Sequence, residues 1–234
     1  MNIRHISKLT KQILPPSLFK IVRIAGSAIL TPLLFSYRTG HFRSALMGKS
    51  VDKFGKPIPW YTYPAIEFLT HKDFKEKRIL EWGAGQSTFW WASRAKEIIA
   101  FESDPFWHAV IGRSSLPNVT LLLTSNDALN CDQYLLGKKF DVIIIDGLNR
   151  FQCAIQSVDL LVKNGVIILD DSEGFWGEEN GKYPILDLFR ERGFQRVDFF
   201  GNAPGVIEPH CTSLFFRGTC FLFTGQENPA RRLI

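Results

Sequence analysis

From Arg78 onward, short apolar runs alternate with amphipathic stretches of ten to seventeen residues, the pattern of βαβ units in a parallel sheet. The strand runs are Arg78 to Trp82, Glu97 to Glu102, Val119 to Thr124, Phe140 to Asp146 and Gly165 to Asp170. A helical segment near Pro184 to Arg192 comes next, then a strand from Arg196 to Gly201 and a long apolar run from Cys211 to Phe223. Only Asn202 to His210 join those last two runs, too few residues for a crossover, so they should pair antiparallel. The pattern predicts an α/β fold with seven strands, the last one reversed.

The chain before this domain reads differently. A break near Lys49 to Pro59 divides it into an arm, residues 1–58, and a domain, residues 59–234. In the arm, Pro15-Pro16 end a short basic segment and Ser17 stands where an N-cap would precede a helix from Leu18 to Thr31. Lys20, Arg23, Ser27 and Thr31 recur at spacings of three and four and make one polar stripe; the rest of that helix is apolar and needs a partner. The domain, a second subunit or the boundary of a lipid bilayer would each serve. The longest uncharged apolar run, Ile24 to Phe35, contains Gly26 and Pro32 and falls short of the roughly 18 to 20 residues of a spanning helix, so the chain is not expected to cross a membrane.

Composition narrows the class. The 234 residues are 45% apolar, 22% charged and 13% aromatic, enough for one full α/β core, which excludes disordered, collagenous and small disulfide-bonded chains. The formal charge of +5 is unevenly placed: Arg4, Lys8, Lys11, Lys20, Arg23, Arg38, Arg43 and Lys49 meet no acid in the first fifty residues, and the remainder has a small acidic excess. A body-wide nucleic-acid surface is therefore not expected. The basic arm is instead expected to dock on an anionic membrane surface, the alternatives being packing on its own domain, a homodimer contact or a cleaved targeting peptide. Cys131, Cys153, Cys211 and Cys220 show no CxxC pair or metal spacing, which suits a reducing, cytoplasmic compartment.

The chemistry gathers at strand ends. The first strand runs into Glu81-Trp-Gly83-Ala-Gly85-Gln-Ser87-Thr88, a loop whose glycines let a ligand approach the backbone. Seventeen residues after Gly85 comes Glu102, ending the second strand, where a carboxylate can accept both hydroxyls of a ribose. A dinucleotide fingerprint would need glycine where Thr88 stands, and Glu81 favours a ligand with positive charge. A nucleoside carrying an amino group and a sulfonium, S-adenosylmethionine, has that character.

At these residues the chain resembles the class I S-adenosylmethionine-dependent methyltransferases over roughly Ile79 to Phe223, with Ser87 where many members have a third glycine. The resemblance implies a Rossmann-like sheet in the order 3-2-1-4-5-7-6. It further implies that Glu81, Gly83, Gly85 and Ser87 hold the methionine part, Glu102 the ribose, and Asn126 and Asp127 the adenine, an N-cap at Ser125 to Asp127 being the plainer reading of the last. The small-molecule O-methyltransferase branch is the most similar: Asp146, Asp170 and Asp171 stand where that branch holds Mg²⁺, with Asp171 in place of Asn. Asp146 also borders the cofactor, and Asp146, Asp171 and His210 are the candidates for the base that takes a proton from a hydroxyl acceptor. Trp60, Tyr61 and Tyr63 before the domain and Trp176 after the fifth strand are candidates for contact with a small or lipid-linked acceptor, a sugar or an aromatic ring. An oxidoreductase, an aminopropyltransferase and a non-catalytic nucleoside-binding module are the competing classes.

Overall fold

A computed structural model describes residues 11, 13–124, 131–173 and 182–223. Its seven strands are β1 (Arg78–Trp82), β2 (Glu97–Glu102), β3 (Val119–Leu123), β4 (Phe140–Ile145), β5 (Leu161–Leu169), β6 (Gln195–Asn202) and β7 (Pro209–Phe216). They form one sheet in the order β3-β2-β1-β4-β5-β7-β6, parallel except for β7, which runs antiparallel to both neighbours. The expected sheet order and reversed strand are both observed.

The alternation of β1 shows how the sheet is covered on both faces. Ile79 packs into one apolar layer with Leu69, Phe74, Trp91 and Ile111, and Leu80 and Trp82 into the opposite layer with Cys153, Val158 and Phe189. The helices of the described chain are α1 (Pro16–Thr39), α2 (His41–Met47), α3 (Tyr63–Thr70), α4 (Gln86–Ala92), α5 (Pro105–Gly112), α6 (Asp132–Leu135), α7 (Arg150–Leu160) and α8 (Lys182–Glu191). Trp90 and Trp91 of α4 are both buried against the sheet, and all four cysteines are buried and unbridged.

Three elements differ from their expected lengths. β5 starts at Leu161, earlier than the apolar run, because Gly165 lets the strand pass close to Asp141: a Cβ there would come within 2.8 Å of the Asp141 carbonyl oxygen. The last run is not one strand. β7 ends at Phe216, Gly218 turns the chain at a φ of +61°, and Phe221–Phe223 fold back as a single 3₁₀ turn that lays Phe223 on the Phe216 ring at 4.9 Å.

The third difference is the arm. α1 starts at Pro16, with Pro15 rather than Ser17 at the N-cap, since proline at N1 costs no hydrogen bond. It continues through Gly26 and Pro32 to Thr39, 24 residues or about 36 Å, and by length and composition it is apolar enough to cross a membrane. The helix thus has the length that the uncharged run from Ile24 to Phe35 lacks. Residues 40–58 behave differently from α1: Ser44 binds the Val51 backbone through both its donor and acceptor, Ser50 donates to the Pro59 carbonyl, and Gly205 donates its N–H to His41 Nδ1. None of the residues of α1 is buried.

Candidate functional site

Parallel β1, β2 and β4 end on one edge of the sheet, and the loops leaving them wall a cavity of about 410 Å³. The loop after β1 is built on its glycines. Gly83 has a φ of +90°, and a Cβ on it would lie 2.6 Å from the Gly147 backbone, so the loops after β1 and β4 touch main chain to main chain. Gly85 is extended and carries no such strain; a Cβ there would meet only Ser87 Oγ, at 4.0 Å, and would take its space from the cavity. Thr88 closes the loop, accepting from the Gly85 N–H at 3.0 Å and donating to Glu81 at 2.6 Å. A hydroxyl thus does at position 88 what a glycine could not.

Glu81 is completely buried and does not line the cavity. Its oxygens accept from the Ser87 and Thr88 hydroxyls, each at 2.6 Å, so it holds the loop from below and contributes its charge through it. Burial pushes its carboxyl up from 4.5 to about 7; the two hydroxyls oppose the rise and the Glu102 charge adds to it. Because the folded pKa lies above the unfolded one, the stability this group contributes is full below pH 4.5 and is lost as pH rises through 7. The melting temperature of the ligand-free protein should fall across that window, Glu81 alone accounting for about 3 kcal/mol. Scanning calorimetry of Glu81→Gln should show a shallower fall; an unchanged slope would contradict the assignment.

Glu102, at the end of β2, lines the cavity with one oxygen held by the Ser103 and Asp104 N–H groups at 2.8 and 2.7 Å. Trp107 of α5 and Trp60 also line the cavity. Trp107 was legible as an aromatic five residues after Glu102 but was not singled out. Of the three aromatics before the domain, Trp60 is at the cavity, its indole N–H bound to the Pro204 carbonyl. Tyr61 points inward instead: it is fully buried and its hydroxyl accepts from Trp91 Nε1 at 3.3 Å. Tyr63 lines a different groove, against Phe35 of α1. Asn126, Asp127 and Trp176 lie outside the described residues.

On the β4 side the decisive residue is one the sequence reading passed over. Asn149, in the left-handed region at a φ of 50°, turns the chain so that Arg150 begins α7 beneath the strand end. The Arg150 guanidinium is buried; its Nη2 lies 3.1 Å from Asp146 Oδ1 and 3.6 Å from Asp171 Oδ2, its Nη1 donates to the Asp170 carbonyl and its Nε to that of Gly147. Asp170 accepts from Thr212 Oγ1 at 2.7 Å. His210 is the second residue of β7 rather than hanging from a loop, with Nδ1 at 3.1 Å from Asp171 and 3.0 Å from Glu173, which also accepts the Cys211 N–H. Asp146 lines the cavity, whereas Asp171 and His210 extend the polar contacts from Arg150 without lining it.

This placement answers the metal expectation. Asp146, Asp170 and Asp171 do bring one oxygen each within 4.8 Å of the others. A cation is already there: Arg150 donates to Asp146 and pairs with Asp171, and Thr212 and His210 meet further oxygens of Asp170 and Asp171. With Arg150 seated among these carboxylates, the set does not fit Mg²⁺. Burial still raises Asp170, and it raises Asp146 to about 7 against the pull of Arg150, with the charges of Asp171, Glu81 and Glu102 adding to the rise of Asp146.

Sheet order, glycine loop and strand-end acid together define the class I S-adenosylmethionine-dependent methyltransferase fold. Among solved structures, the chain is similar to precorrin-6y C5,15-methyltransferase from Geobacter metallireducens, with a TM-score of 0.52 at 13% identity over 66% of this chain and 87% of that one. A putative O-methyltransferase from Klebsiella pneumoniae (0.48, 19% identity, 61% and 74% covered) and an rRNA methylase from Streptococcus thermophilus (0.48, 17% identity, 65% and 93% covered) are similar as well. No family model and no curated relative matches the chain.

Proposed function

We propose that the protein is a methyltransferase that uses S-adenosylmethionine to methylate a hydroxyl of a small or lipid-carried acceptor, without a divalent metal. The observation that carries this reading is one cavity on which the Gly83–Gly85 backbone, Glu102 and Asp146 converge. A glycine-lined wall admits the flat nucleoside, the Glu102 carboxylate accepts from ribose hydroxyls, and the acids around the loop favour a cationic donor. When bound, S-adenosylmethionine supplies a methyl group on a positively charged sulfur, open to in-line displacement. What remains for the chain is alignment and one proton transfer.

Asp146 is the cavity-facing base. A carboxyl raised to about 7 is half ionised near neutrality and can accept the acceptor hydroxyl's proton as the oxygen attacks. Arg150 keeps Asp146 aimed and, through Asp171, ties it to His210, so Asp171 and His210 serve as positioning residues. Trp60, half-exposed at the rim, offers a face for the acceptor.

Calorimetric titration tests the donor assignment. S-Adenosylhomocysteine should bind and NAD should not, because a second phosphate-linked nucleotide finds no third glycine at Thr88. Glu102→Ala should weaken S-adenosylhomocysteine roughly 10- to 100-fold, the loss of charge-assisted hydrogen bonds. Unchanged affinity in that variant would remove Glu102 from the ribose.

A further inference from the structure

α1 is turned the wrong way round for a helix that packs on its own domain. At about 100° per residue, Lys20, Arg23, Ser27, Thr31 and Arg38 fall within one narrow stripe. The large apolar residues Leu18, Ile21, Val22, Ile24, Ile29, Leu30, Leu33 and Tyr37 spread over an arc of about 240° on the other side. The stripe side meets the domain: Thr31, Leu34, Phe35, Arg38 and Thr39 line a groove of about 940 Å³ whose far wall is Tyr63, Phe68 and Trp90. The apolar arc points outward, with Ile21 63%, Ile29 60% and Leu33 62% exposed. So long an exposed apolar surface is stable only against a matching phase.

We propose that α1 lies in the plane of an anionic lipid bilayer surface, its outer arc among the acyl chains and its basic stripe and the domain on the water side. Two features select this occupant. The charge is complementary: α1 and the rest of the first fifty residues carry eight basic and no acidic side chains, which suits lipid phosphates and disfavours an acid-free second copy of the same helix. The geometry selects an in-plane seat over a spanning one, because a spanning helix would bury Lys20 and Arg23 within its own length, whereas an in-plane helix leaves the whole stripe at headgroup level. The inference stands on α1 alone and does not depend on the chemistry of the cavity.

Flotation of the full-length protein with vesicles of phosphatidylcholine, with and without phosphatidylglycerol, tests it. Binding should require the anionic lipid and should be released by alkaline carbonate. Lys20→Gln/Arg23→Gln/Arg38→Gln should lower the partition coefficient about 100-fold at low salt, and Ile29→Asp/Leu33→Asp by more than about tenfold. Both sets lie on exposed positions, and unchanged circular dichroism and melting temperature would show the domain intact. Absence of flotation, equal flotation of the Ile29→Asp/Leu33→Asp variant, resistance to carbonate, or self-association without flotation would each overturn the proposal, the last two in favour of a spanning helix and a dimer.

Discussion

Arg150→Met is expected to destabilise the protein by about 3 to 5 kcal/mol at neutral pH. The substitution keeps the unbranched apolar stem of the side chain and removes the guanidinium that touches both Asp146 and Asp171. The carboxylates left behind are crowded, and burial and mutual repulsion already raise Asp146 and Asp170 above the ordinary range. Without the guanidinium they rise further, so the variant's deficit should be largest above pH 7 and shrink toward pH 5, where these acids are protonated in the folded form of wild type and variant alike. Chemical denaturation at the two pH values measures this. The variant also opens the space between three carboxylates, and Mg²⁺ should then raise its melting temperature while leaving the wild-type protein unmoved. A deficit that does not depend on pH would mean that Arg150 acts by packing and not by charge.

That residue also marks the limit of what sequence could show. The sheet was legible because each strand is a run of apolar residues bounded by turns, and β1 and β2 fall where their runs do. The three acids after β4 and β5 were legible by position as well. The cation among them was not, since an arginine in the first turn of a helix looks like any solvated charge until Asn149 is seen to turn it under the strand. Glu81 shows the same blindness in reverse. Its place at the end of β1 suggested contact with a ligand, but Ser87 and Thr88, six and seven residues on, consume its oxygens. Tyr61 and Tyr63 form one aromatic cluster with Trp60 in the sequence, yet they diverge, one into the core and one toward α1. Side-chain direction depends on local backbone geometry that composition does not encode.

The two glycines of the loop after β1 should separate stability from binding. Gly83→Ala must hold a side chain at a φ of +90° with its Cβ 2.6 Å from the backbone of Gly147, and neither neighbour is a flexible side chain that can move aside. Left-handed strain and main-chain overlap together should cost about 3 to 5 kcal/mol, lowering the melting temperature and loosening the contact between the β1 and β4 loops. Gly85→Ala should behave in the opposite way. Its φ of −167° suits any residue and its Cβ meets nothing closer than 4.0 Å, so stability should change by less than about 0.5 kcal/mol. The added methyl projects into the cavity, where the proposed nucleoside needs close approach to the backbone, and S-adenosylhomocysteine affinity should fall about tenfold or more. Melting curves and titrations of the pair therefore give crossed outcomes. If Gly85→Ala bound as tightly as the wild-type protein, the cavity wall at Gly85 would not be the nucleoside's seat, whatever Gly83→Ala did to the fold.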